Sequence, residues 1–344
     1  MRIGLVLGGG GVVGVAYHAG ALSAIAHDWD WDPRTADLIV GTSAGSIVGA
    51  LLRSGIPAHD LAAALVGAEV TEADPATIAA ARGPSGLPPV GWATFVRWPR
   101  LPSAGLLRSA VRRPWRIDPL TAVAALVPDG KVDLAAQIVG LSGVLGEVWP
   151  ERRLWLTAVR ERDLRRVAFG RGDRFDAPLA SAVAASCAVP GYFAPVPIGA
   201  DRFVDGGVRS PTNADLLRGE PIDLAIVIAP MSARSHLPGG VDGLMRGLVR
   251  RRVRAEVDAL RAAGIPTVLI EPGPRVITQS GTDLMDDGRT LDVVREAFLD
   301  TGEQLQAPFT RALMAGLAPR LPRSPGPTPT GAGAPPRSDD PTPV

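Results

Sequence analysis

The chain is nearly without cysteine: Cys187 is the only one in 344 residues. A lone thiol cannot close an intramolecular disulfide or build a cysteine metal cluster, so a disulfide scaffold is excluded and a reducing compartment is permitted. Lysine is equally scarce, with Lys131 standing alone, and arginine carries almost all the positive charge. With 36 Lys+Arg against 35 Asp+Glu, the formal net charge is +1. That is too little for whole-chain nucleic-acid binding, which needs many concentrated cationic contacts. No apolar run reaches membrane-spanning length, and the opening MRIGLVL is cut by glycines before it could serve as the apolar core of a signal peptide. A cytoplasmic protein, or one lying peripherally on a membrane, is expected. Of the four histidines, His18, His27 and His59 have no partner at metal-ligand spacing and read as structural. No metal and no cofactor are therefore expected.

What is present is a large apolar fraction, 46%, beside 21% charged residues. That balance suits a folded protein with a substantial core, and α/β folds of this length often form around one core. Residues Ile3 to Leu7 form a short apolar run ended by four glycines, read as a buried strand entering a tight turn. VAYHAGALSAIA after it has helical length, and ADLIVGTSAGSIVGALLRSG repeats the strand, turn, helix order. Two βα units in succession predict a parallel sheet covered by helices. LWLTAV and RRVAFG read as a strand pair, APLASAVAASCAVP as a helix ended by proline, and LAIVIAP and TVLIEP as later buried strands. Gly243 to Ala263 reads as a basic amphipathic helix.

Two regions break the pattern. From Pro75 to Ile117 there are seven arginines, no acid, and Trp92, Trp98 and Trp115. Residues 72–150 are therefore expected to form an insertion or cap, and the Trp/Arg stretch suits contact with an anionic lipid surface. Residues 321–344 are Pro-rich without apolar spacing and read as a disordered tail.

Three motifs carry chemistry. Gly41-Thr42-Ser43-Ala44-Gly45 is a G-x-S-x-G sequence between an apolar strand and a helix. That is the setting of a nucleophile elbow, where the serine stands on a turn too sharp for flanking side chains. Gly8-Gly9-Gly10-Gly11-Val12-Val13-Gly14 also joins a strand to a helix, and its bare amides suit an oxyanion hole. It also satisfies G-x-G-x-x-G at Gly9, Gly11 and Gly14. A dinucleotide fingerprint, however, wants an acid ending strand two, and Asp28, Asp30 and Asp32 all precede that strand. No Gly-Lys-Ser/Thr follows, which disfavours a P-loop. Phe203-Val204-Asp205-Gly206-Gly207 ends an apolar stretch in an acid and two glycines, and a nucleophilic serine needs such a base. His236 follows Asp205 and so leaves a Ser-Asp-His triad as an alternative, although Ser43 comes early for an α/β-hydrolase.

The glycine loop, the GTSAG elbow, the stretch ASCAVPGYFAPV from Ala185 to Val196 and the DGG motif, in this order, resemble the patatin-like phospholipase family. The resemblance implies a three-layer α/β/α sandwich with a mostly parallel sheet, spanning residues 1–320 with the 72–150 insertion. It implies a Ser43–Asp205 dyad without histidine, with Gly9, Gly10 and Gly11 as the oxyanion loop and Gly14, Gly41, Gly45, Gly206 and Gly207 as motif glycines. The implied substrate is a phospholipid or related ester. One position departs from the family pattern: Val13 stands where the loop usually carries Arg or Lys. A catalytically weak lipid-binding or regulatory protein is the alternative this raises, and oligomeric state is left open.

Overall fold

Among the described residues of the computed structural model, five strands run parallel in the order β3-β2-β1-β7-β8, with antiparallel strands joined at one side. They are β1 (Ile3–Leu7), β2 (Leu38–Thr42), β3 (Arg153–Arg160), β7 (Leu224–Ile228) and β8 (Thr267–Ile270). The antiparallel members are β4 (Arg165–Phe169), β5 (Val196–Ile198) and β6 (Asp201–Asp205). The structure describes residues 1–73, 148–172, 177–235 and 239–315, with scattered positions between 107 and 146. The expected Trp/Arg cap over much of 72–150, the Pro-rich tail and His236 lie outside the described residues.

The strands read from sequence are strands, and LWLTAV and RRVAFG pair as expected, the pairing being antiparallel. Helices among the described residues include α1 (Gly11–Trp29), α2 (Ala44–Arg53), α3 (Ala58–Val66), α4 (Leu179–Cys187), α5 (Gly240–Ala262), α6 (Pro274–Ser280), α7 (Thr290–Leu305) and α8 (Pro308–Ala315). Because side chains alternate across a strand, Leu5 and Leu7 face one layer and Val6 the other. The first layer holds α1, α2, α4 and α7. The second is closed by the Val249, Val253, Val257 and Leu260 stripe of α5, which is the amphipathic helix expected near Gly243. The result is the expected α/β/α sandwich.

α6 and α7 lie in a stretch that sequence reading leaves unassigned. α7 packs against α1, and Gly20 permits that contact: a Cβ there would lie 2.3 Å from the Val294 carbonyl oxygen. Among the described residues, no helix is long and apolar enough to cross a membrane.

Candidate active site

β3 is the joint on which the site is built. Its first five residues pair with parallel β2, placing Thr157 opposite Thr42. Its last three pair with antiparallel β6, placing Ala158 opposite Asp205. Strands β2 and β6 therefore run towards each other along β3, and their C-terminal ends meet at neighbouring residues. The residue that follows Thr42 is Ser43, so chain positions 162 apart in sequence become neighbours through sheet register alone.

Ser43 sits between β2 and α2 with φ 52° and ψ −121°, a positive φ that side-chain-bearing residues rarely adopt. Such strain costs on the order of 1–3 kcal/mol and persists only where the surroundings enforce it. Here the Ser43 N–H donates to Ser186 Oγ of α4 at 2.9 Å, and the Ser43 carbonyl accepts from the Ser46 N–H at 2.7 Å and the Ser46 hydroxyl at 2.6 Å. Gly41 and Gly45 fit the same turn, since a Cβ on Gly41 would lie 2.7 Å from the Gly45 oxygen. Ser186 was not singled out by sequence, although it lies within ASCAVP; a small polar residue in an apolar helix was its only signal.

Asp205 is 4% exposed. Its backbone N–H donates to the Ala188 carbonyl, and its Oδ1 accepts from the Gly207 N–H at 2.6 Å. Burial pushes its carboxyl up to about 6, against the opposing pull of hydrogen bonds from the Ser43 side chain and the Gly207 N–H. A carboxylate in that range is a stronger proton acceptor than an exposed one yet still ionised at neutral pH. Gly206 lies against Thr157, where a Cβ would come within 2.4 Å of its Oγ1.

The glycine loop lies beside the elbow, with a Cβ on Gly9 falling 3.3 Å from that of Ser43. Of its three expected donors, Gly9 has its N–H bonded to the Pro211 carbonyl at 2.8 Å. Gly8 N–H is likewise bonded to Ile228 O. The N–H groups of Gly10 and Gly11 have no partner among the described residues, as befits the first residues of a helix. Gly11 needs to be glycine, having φ 64° and the Leu284 oxygen 2.5 Å from any Cβ. Gly14 N–H closes the first helical turn on Gly10 O. Val13 is buried and its N–H donates to Leu284 O, so backbone contacts fasten the loop at the position of the missing cation.

Two other side chains, His18 and Cys187, bear on the site. His18 is wholly buried, and burial lowers its pKa to about 4 despite its bond to the loop carbonyl of Gly8 at 2.7 Å. It is therefore a neutral donor that supports the loop. Burial pushes the Cys187 thiol up to about 12, with the Asp205 charge adding to the effect, which leaves it inert as a nucleophile. His27 and His59 are exposed and lie beside Asp28 and the wholly buried Asp60. Among the described residues, no group of three or more His, Cys, Asp or Glu side chains is arranged to hold a metal.

The family model described as Patatin-like phospholipase matches residues 5–218, well over half the chain. Among solved structures, VipD from Legionella pneumophila aligns at 15% identity with a TM-score of 0.42, covering 89% of this chain and 67% of that one. The type III effector protein ExoU aligns at 19% identity with a TM-score of 0.35, covering 89% of this chain and 53% of that one. This chain thus spans about half of that effector. No curated protein matches the chain.

Proposed function

The chain belongs to the patatin-like phospholipase family, and on that premise we propose that it hydrolyses carboxylic esters of lipids through an acyl-enzyme on Ser43, with Asp205 as base. The observation that supports this reading best is the meeting of β2 and β6 on β3, which sets a strained serine beside a buried carboxylate. Asp205 takes the hydroxyl proton as Ser43 Oγ attacks the ester carbonyl. The N–H groups of Gly10 and Gly11 receive the negative charge on the former carbonyl oxygen, where one donor is worth about 3 kcal/mol. The alcohol leaves with the proton from Asp205. Water then attacks the acyl-enzyme, giving its proton to Asp205, and Ser43 regains a proton as the fatty acid departs.

The buried Val13 with its Leu284 bond argues for an intact loop and against the regulatory alternative, while a cation absent from this position suits a less anionic substrate. Peripheral contact with anionic membrane belongs to the same reading. Hydrolysis of a panel of phospholipids, lysophospholipids, neutral glycerides and short p-nitrophenyl esters, run with wild type and Ser43→Ala together, tests it; lipid hydrolysis unchanged in Ser43→Ala would dismiss it.

Two further outcomes follow. Only ionised Asp205 can accept the proton, so kcat/KM should fall about tenfold per pH unit below about 6 and level off above it. A profile flat down to about pH 4 would mean that a group other than Asp205 is the base. His236→Ala should leave turnover within about threefold of wild type, against the roughly thousandfold loss expected of a true catalytic base. Inactivation equal to that of Ser43→Ala would replace the dyad with a Ser-Asp-His triad.

A further inference from the structure

Behind the elbow lies a buried polar cluster that the proposed chemistry does not use. Its centre is Asn213, wholly buried and held in the left-handed region at φ 53°, a conformation Asn tolerates better than most residues. Its Nδ2 lies 3.1 Å from Thr42 Oγ1, 3.2 Å from Thr157 Oγ1, 2.8 Å from the Ser210 carbonyl and 3.5 Å from that of Gly206. Its Oδ1 accepts from Arg166 Nη1 at 3.2 Å. Thr42 and Thr157 are also bonded to each other at 2.8 Å, and Thr157 Oγ1 reaches the Gly41 carbonyl at 3.3 Å.

The placement of these partners matters more than their number. Thr42 immediately precedes Ser43, Gly206 immediately follows Asp205, and Thr157 is the β3 residue where the two strands converge. One amide thus touches both arms of the dyad and the strand that joins them. Resting on the Ser43–Asp205 reading, we infer that Asn213 is a positioning residue that sets the nucleophile against its base.

The turn carrying Asn213 is fastened separately. Ser210 Oγ accepts the N–H groups of Thr212 and Asn213, and Glu256 of α5 accepts the Thr212 hydroxyl at 2.7 Å and the Ala214 N–H at 3.0 Å. Changing the Asn213 side chain therefore removes the brace and leaves the backbone held. The isosteric Asn213→Asp keeps an oxygen for Arg166, tolerates the left-handed backbone and replaces the donor group with an acceptor.

Rates should be normalised to active sites counted by fluorophosphonate titration, so that misfolded protein does not enter them. Per titrated site, Asn213→Asp should lower kcat on a soluble ester at least tenfold with KM within about twofold, and should slow labelling of Ser43 by a similar factor. The acid limb should also move to higher pH, because the Ser43 hydrogen bond is one of the interactions holding the Asp205 carboxyl down. Thr157→Val, which removes one partner without touching Asn213, should reproduce the kcat loss in part, and Thr157→Ser, which retains the hydroxyl, should restore most of it. Variants with wild-type kcat and pH profile per site, or with fewer active sites but normal turnover at each, would overturn the positioning role. A wild type that neither labels nor turns over would instead overturn the dyad reading, so the two failures are distinct.

Discussion

Ser43→Ala and Asp205→Asn should each lower ester turnover by about a thousandfold or more, and the double variant should be no worse than either alone. Nucleophile and base act as one unit, so removing the second after the first has nothing further to abolish. The two single variants should differ in stability. The Asp205 carboxyl is raised from 3.8 to about 6 chiefly by burial, so between those values the folded protein holds a proton that the unfolded chain has released. The linked stability is present at low pH and lost as pH rises through that window. At 1.36 kcal/mol per pKa unit, the ionised carboxylate costs the neutral-pH fold up to about 3 kcal/mol. Asp205→Asn keeps an oxygen for the Gly207 N–H and removes the charge, so its Tm at pH 7 should exceed that of wild type. Thermal unfolding beside an ester assay checks both halves. More than a tenth of wild-type turnover in Asp205→Asn would dismiss it as the base.

Gly45→Ala should destabilise the protein by about 3 kcal/mol or more, a larger effect than a loop glycine normally carries. The cause is contact across layers. A Cβ on Gly45 would lie 2.0 Å from the Leu7 carbonyl oxygen and 2.4 Å from its carbon, and the Gly45 N–H is bonded to Gly8 O at 3.2 Å. A methyl group cannot enter without separating α2 from the end of β1, which would move the elbow away from the glycine loop. Denaturant unfolding should show a clear fall in midpoint, with activity lost alongside. A variant as stable as wild type would mean that β1 and α2 do not approach this closely.

The sequence made much of this site legible, and for identifiable reasons. Continuous apolar runs ended by glycine mark β1 and β2, and the position of each motif on a strand-to-helix turn marks the elbow and the loop. Pairing was not legible, because nothing in the residues of β3 tells that its two halves serve β2 and β6. Gly9 illustrates the limit within a motif: three glycines look alike in sequence, yet a Pro211 carbonyl from a distant segment takes the N–H of one. Asn213 was hidden for a different reason. Ser210-Pro211-Thr212-Asn213 belongs to none of the three motifs, and only tertiary packing buries the Asn213 amide among Thr42, Thr157 and Ser210. The helices from Pro274 onward were missed because buried Asp300, Thr301 and Gln304 interrupt the apolar residues on the packed face of α7.

The most direct test of the Ser43–Asp205 dyad is fluorophosphonate labelling followed by intact mass and site mapping. One adduct per chain, on Ser43, is expected in wild type, with none in Ser43→Ala and a strongly slowed rate in Asp205→Asn. Labelling of Ser43→Ala as fast as wild type, or an Asp205→Asn variant that labels at the wild-type rate, would contradict the dyad.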